Sequence, residues 1–111
     1  WFLLGEIVRR IDGRPFDRFV REDVFTPLGM VDCYIGMTPD EYASLGDDRL
    51  AGLYNTSGVT GVLGDFPRSD DDGMLSPAAV KACVPGGNLR GSASQCIKLF
   101  AMLLHEGRTE E

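Results

Sequence analysis

Gly13 and Pro15 stand two residues apart between two stretches of helical apolar period, and no other feature restricts the chain more tightly. Leu4, Ile7, Val8 and Ile11 recur at spacings of three and four, with Glu6, Arg9 and Arg10 opposite, so residues 2 to 12 are predicted as an amphipathic helix. Gly13 accepts the left-handed conformation that ends a helix, and Pro15 begins the next, where its missing N–H costs nothing. The second helix is expected to run to about Phe25. Its apolar face is Phe16, Phe19, Val20 and Val24, with Asp17 and Arg21, and Arg18 and Glu22, paired one turn apart on the polar side. So short a connection forces the helices side by side, and Ile7 and Ile11 are expected to pack towards Phe19.

Pro27 and Gly29 stop the second helix, and Thr38, Pro39 and Glu41 spell a capping box with proline at the first helical position. Between Gly46 and Leu75 no period persists, and Gly, Asp, Ser and Pro recur every few residues, which reads as a long loop over 46–75. Residues 50–54 and 59–63 are candidate short strands within it, weakened by their glycines. Ser76 and Pro77 open a brief helix that must end before Pro85. The final helix is predicted from a second capping box, Ser92 with Gln95, a buried stripe of Cys96, Leu99, Phe100 and Leu103, and a stop at Gly107.

The chain has 111 residues, enough for one core, and 11 Lys and Arg against 17 Asp and Glu give a net charge of -6. Such a field repels phosphate backbones, so nucleic acid is not an expected partner. No apolar run approaches the roughly 20 residues of a membrane helix, so no membrane span is expected. The sequence opens at Trp1 inside an apolar-periodic segment, which reads as an internal excerpt and leaves the compartment unknown. Cys33, Cys83 and Cys96 have neither disulfide-framework nor zinc-ligand spacing and are expected as free thiols packed like small hydrophobes.

Catalytic groups are sparse. His105 is the single histidine and falls in the last turn of a predicted helix, where a polar or cationic side chain suits the dipole's negative end. Asp70, Asp71 and Asp72 lack the spacing and closing glutamate of a calcium loop and read as a solvated run, so no metal site is expected. Asn55-Thr56-Ser57 fits the glycosylation pattern, which matters only after export. Pro85-Gly86-Gly87-Asn88 precedes a helix and reads as a tight turn in preference to an anion cradle, there being no accompanying P-loop lysine.

The ordered blocks are more telling than any single residue. Residues 1–16, then Phe25-Thr26-Pro27-Leu28-Gly29-Met30, the segment Gly36-Met37-Thr38-Pro39-Asp40-Glu41, and the stretch from Gly86-Gly87-Asn88 through Met102-Leu103-Leu104 together resemble the serine β-lactamase-like hydrolases. Within them the chain looks most like the class C β-lactamase and family VIII carboxylesterase branch. The resemblance implies an acyl-enzyme mechanism in which a Ser-x-x-Lys serine is acylated by an ester or β-lactam, a Tyr-x-Asn tyrosine assists proton transfer, and a Lys- or His-containing strand completes the pocket. None of these maps onto this sequence: Ser76 and Lys81, and Ser94 and Lys98, are too far apart, and Tyr54 and Asn55 are adjacent. His105-Glu106-Gly107 matches a His-x-Gly strand motif only superficially, because it stands at a predicted helix end. Relatives with Ser-Thr-Ala-x-Asp at the last helix differ from Gly91-Ser92-Ala93-Ser94-Gln95, which keeps the capping pattern and loses the charge.

The resemblance implies a mainly α segment of an α+β β-lactamase/transpeptidase-like fold, residues 1–111 forming the internal, mainly helical part of a domain whose antiparallel sheet lies elsewhere. The expected function is that of a segment of a serine hydrolase of esterase or β-lactamase type, itself without the nucleophile. The alternative is a segment of a non-catalytic relative that binds peptides or partners. By analogy Gly87 and Asn88 border the acyl-group side of the pocket and are the substrate-binding candidates; no catalytic residue and no cofactor is assigned. The implied partners are a small ester or β-lactam substrate and the missing parts of the same domain.

Overall fold

In a computed structural model the described residues are 1–46, 49–51 and 76–108. They are mainly helical with one small antiparallel sheet, in the order α1 (Phe2–Asp12), α2 (Phe16–Val20), a π-helical turn (Arg21–Phe25), β1 (Tyr34–Ile35), α3 (Pro39–Leu45), α4 (Pro77–Lys81), β2 (Leu89–Arg90) and α5 (Ala93–Leu104). The chain divides into two compact units, Trp1–Gly36 with Ala82–Glu111, and Met37–Lys81. The candidate strands at 50–54 and 59–63, the Asp70–Asp72 run and the Asn55 sequon lie outside the described residues, apart from Leu50 and Ala51, which belong to no strand.

The first unit begins as the sequence dictates. Gly13 caps α1 in the left-handed region at φ 88°, its N–H donating to the Arg9 carbonyl at 2.9 Å. Arg14 then ties the connection down, donating to Asp12 at 2.5 Å, to Glu22 at 2.6 Å and to Asp23 at 2.6 Å, with its guanidinium 5.3 Å from the centre of the Phe19 ring. Those carboxylates push the Arg14 pKa up, while Arg14 holds Asp12, and Arg18 followed by Arg14 holds Glu22, below the usual carboxylate range.

The second helix reaches Phe25 as expected, yet its last turn widens to i→i+5 bonds. The Thr26 N–H donates to the Arg21 carbonyl at 2.9 Å and the Met30 N–H to the Phe25 carbonyl at 2.8 Å. The wider turn brings Val20 and Phe25, five apart, onto the same side. They are buried with Met30 and Cys33, and Phe16, Phe19, Val24, Leu28, Ile35, Cys96 and Leu99 pack around them. Arg18 pairs with Glu22 at 2.7 Å as predicted, and Arg21 lies over the Tyr34 ring at 5.1 Å. Tyr34 stands opposite Arg90 and Ile35 opposite Leu89 in the sheet.

The predicted face of α1 requires correction. Gly5 is its buried residue and Val8 is half-buried, whereas Ile7 is 50% and Ile11 83% exposed, so the face expected to pack towards Phe19 lies largely open. The cause is Gly5, which lets the helix approach the Pro85 ring and Phe16 closely; Val8 lies near it around the helix, and Ile7 and Ile11 lie on the other side. The stripe on α5 is corrected likewise. Cys96 and Leu99 pack inward with a half-buried Met102, but Phe100 and Leu103 are 62% and 60% exposed.

In the second unit Thr38 caps α3 with both bonds of the box, Glu41 N–H to Thr38 Oγ1 at 3.2 Å and Thr38 N–H to Glu41 Oε2 at 2.8 Å. Helix α3 packs on α4, Met37 N–H donates to the Val80 carbonyl at 3.1 Å, and Met37, Leu45 and Val80 are buried. Ser76 caps α4, its Oγ accepting the Ala79 N–H at 3.3 Å. None of the described helices is long and apolar enough to cross a membrane.

Candidate functional site

Gly87 and Asn88 fall in one turn of the first unit, between α4 and β2. The Gly87 N–H donates to the Val84 carbonyl at 3.1 Å, which closes the turn and turns that donor inward, as a tight turn demands and an anion cradle does not. Asn88 is 5% exposed, and its amide is committed at both ends: Oδ1 accepts the Val84 N–H at 3.1 Å, and Nδ2 donates to the Ala82 carbonyl. A buried amide satisfied at both ends fixes the backbone around it. Gly87 remains exposed.

The turn is also held from outside. A Cβ on Gly86 would overlap the Trp1 side chain, and one on Gly5 would stand 2.6 Å from Pro85 Cγ, so both contacts require glycine. The chain then passes through β2 into α5. Ser92 caps that helix in extended conformation with no capping bond from its side chain, which overturns the predicted Ser92–Gln95 box. Gln95 is used elsewhere: its Oε1 accepts the Asp32 N–H at 2.8 Å and lies 3.8 Å from the Cys33 thiol. A tertiary bond to the loop before β1 has displaced a local one.

At the other end of α5 a groove of about 270 Å³ is lined by Lys98, Ala101, Met102 and His105 across from Pro27 and Leu28, with Arg108 beside them. Sequence reasoning missed it, although positions 98, 101, 102 and 105 share one helix face. Lys98 Nζ donates to the Gly29 carbonyl at 2.7 Å, so this cation ties α5 to the segment that follows the π-helical turn. His105 stands at the α5 C-cap, exposed, at the helix end anticipated for it; Gly107 closes the terminus at φ 80°, its N–H reaching the Met102 carbonyl at 2.9 Å. The groove lining holds cations and apolar groups but neither hydroxyl nor thiol, so it presents no nucleophile to His105 or Lys98.

The serine contacts follow the same pattern. Ser44 Oγ donates to the Glu41 carbonyl at 2.8 Å, Ser76 Oγ caps α4, and the Ser92 and Ser94 hydroxyls lie 3.0 Å apart. In each of these bonds the partner is backbone or another serine. Among the described residues no three His, Cys, Asp or Glu side chains cluster as metal ligands.

A mainly helical chain with a small antiparallel sheet, helix caps at the anticipated glycines and the Gly-Gly-Asn turn in front of the last helix fit the α+β class anticipated from the sequence. Residues 1–111 match the Beta-lactamase family over their whole span, and the chain belongs to that family. Neither the curated proteins nor the solved structures compared with it gave a match.

Proposed function

We propose that residues 1–111 are the helical segment of a β-lactamase-related serine hydrolase of the class C and family VIII esterase branch, acting on an ester or β-lactam through an acyl-enzyme. In this reading the acylated serine and its lysine come from outside residues 1–111, and the segment builds one wall of the cleft. Exposed Gly87 faces the acyl group, and Asn88 holds the turn that carries it. The observation carrying the reading is α5: Ile97, Phe100, Leu103 and Leu104 are exposed while Cys96 and Leu99 pack inward, so the helix is apolar on both sides and suits burial between two layers. The exposed Phe2, Leu3 and Leu4 of α1 present a second surface of that kind.

The test is to express the open reading frame that contains these residues, acylate it with an activated short-chain ester, quench with acid and map the adduct by peptide mass. The reading expects one acyl-serine in a peptide outside residues 1–111. An acyl-serine within them, or an intact protein that is never acylated and hydrolyses neither esters nor β-lactams, contradicts it; the latter outcome favours a non-catalytic relative.

A further inference from the structure

Cys33 and Cys96 meet inside the first unit although residues 34–95 separate them along the chain. Cys33 is 2% exposed and belongs to the core cluster with Val20, Phe25 and Met30; Cys96, in the first turns of α5, is half-buried against that cluster. The two side chains thus enter one cluster, Cys33 from the loop before β1 and Cys96 from α5. Two further contacts fix the Cys33 sulfur. Gln95, the neighbour of Cys96, holds the Asp32 N–H at 2.8 Å and has its Oε1 3.8 Å from Cys33 Sγ. Gly91 leaves room for that sulfur, which a Cβ there would overlap. Cys83 is exposed, which corrects the expectation that all three thiols pack like small hydrophobes.

We propose that Cys33 and Cys96 are a redox pair that closes an intramolecular disulfide by exchange with a low-molecular-weight disulfide. Cys96, the more accessible sulfur, gives its proton to water and attacks one sulfur of the small disulfide, expelling one small thiolate and forming a mixed disulfide. Cys33 then loses its proton and attacks Cys96 Sγ, expelling the second small thiolate. Two protein thiols lose two electrons and two protons, and one small disulfide becomes two small thiols. Burial, reinforced by the neighbouring Cys96, pushes the Cys33 pKa up to about 11, so little of it is thiolate near neutral pH and its attack on the mixed disulfide is the slow step. The bond would staple the loop before β1 to the start of α5, the same two segments that Gln95 joins by hydrogen bonds.

The experiment treats the 111-residue chain and its Cys83→Ser variant with glutathione disulfide, in native buffer and in urea, followed by alkylation, intact mass and peptide mapping. The expected native product has lost the mass of two hydrogens, carries no glutathione, and gives a linked peptide containing Cys33 and Cys96, in both proteins. Urea should abolish the preference for this pair, and thermal unfolding of the oxidised protein should move to higher temperature and return on reduction. Stable glutathionylation of Cys96 without a link, a link through Cys83, unchanged thiols, or the same yield of the Cys33–Cys96 link in urea would overturn the proposal.

Discussion

Pro85 Cγ lies 2.6 Å from the point where a Cβ on Gly5 would stand. This contact turns α1 onto the face that contains Gly5 and Val8, leaves Ile7 and Ile11 outside, and joins the first helix to the turn that carries Gly87 and Asn88. In an open helix, alanine in place of glycine gains about 1 kcal/mol. Here the pyrrolidine ring cannot swing aside, and overpacking of this kind costs about 1 to 3 kcal/mol. Gly5→Ala is therefore expected to lower the urea midpoint; an increase would show that α1 does not dock at Gly5.

Asn88 gives a sharper discrimination. Its amide accepts from Val84 N–H and donates to the Ala82 carbonyl, so Asn88→Ala should destabilise by about 1 to 3 kcal/mol through unsatisfied buried groups. Asn88→Asp keeps the acceptor but sets a carboxylate against the Ala82 carbonyl, and should be no more stable than the alanine variant at neutral pH. Equal stability of Asn88→Asp and the parent chain in denaturant titrations would contradict this assignment.

How much of the fold was legible in the sequence depended on whether a residue's partner was local. Thr38, Pro39 and Glu41 form their box as read, and Gly13 and Gly107 end their helices, because each signal acts within a single turn of backbone. Ser92 and Gln95 carry the same letters and form no box, since Gln95 is drawn to Asp32, far along the chain. The π-helical turn was hidden for a related reason: bringing Val20 and Phe25 onto one side depends on the core that both enter. The Gly-Gly-Asn turn was read correctly as a turn, but the inward commitment of Asn88 required knowing that Val84 and Ala82 fold back onto it. The faces of α1 and α5 were misjudged because both helices have apolar residues on more than one side.

Phe19 tests the packing of the second helix. It is half-buried against the Val20, Phe25, Met30 and Cys33 cluster, whereas Arg18 on the same helix is exposed. Phe19→Ala is expected to cost about 2 to 4 kcal/mol, and Arg18→Ala about 0.5 kcal/mol or less. Matching losses in guanidinium titrations would mean that the faces are wrongly assigned.

Glu6 supplies the pH dependence. Bonds from Arg9 at 2.7 Å and from Arg10 at 2.8 Å lower its pKa from 4.5 to about 2. A depressed carboxylate stabilises the fold above its unfolded value, so the contribution of Glu6 is complete above pH 4.5 and is lost as the pH falls through about 2. Carboxyl NMR should find the Glu6 midpoint near 2 and see it rise towards 4.5 when Arg9 and Arg10 are both changed to Gln. A midpoint near 4.5 in the parent chain would contradict the pairing.

The central claim is that this segment shapes a hydrolase cleft without carrying the group that is acylated. Its most direct test is to incubate the 111-residue chain with an acylating serine probe and record the intact mass. An unmodified protein is expected under conditions that fully label a serine hydrolase of known activity; stoichiometric labelling of a single serine within residues 1–111, abolished by its replacement with alanine, would contradict the claim.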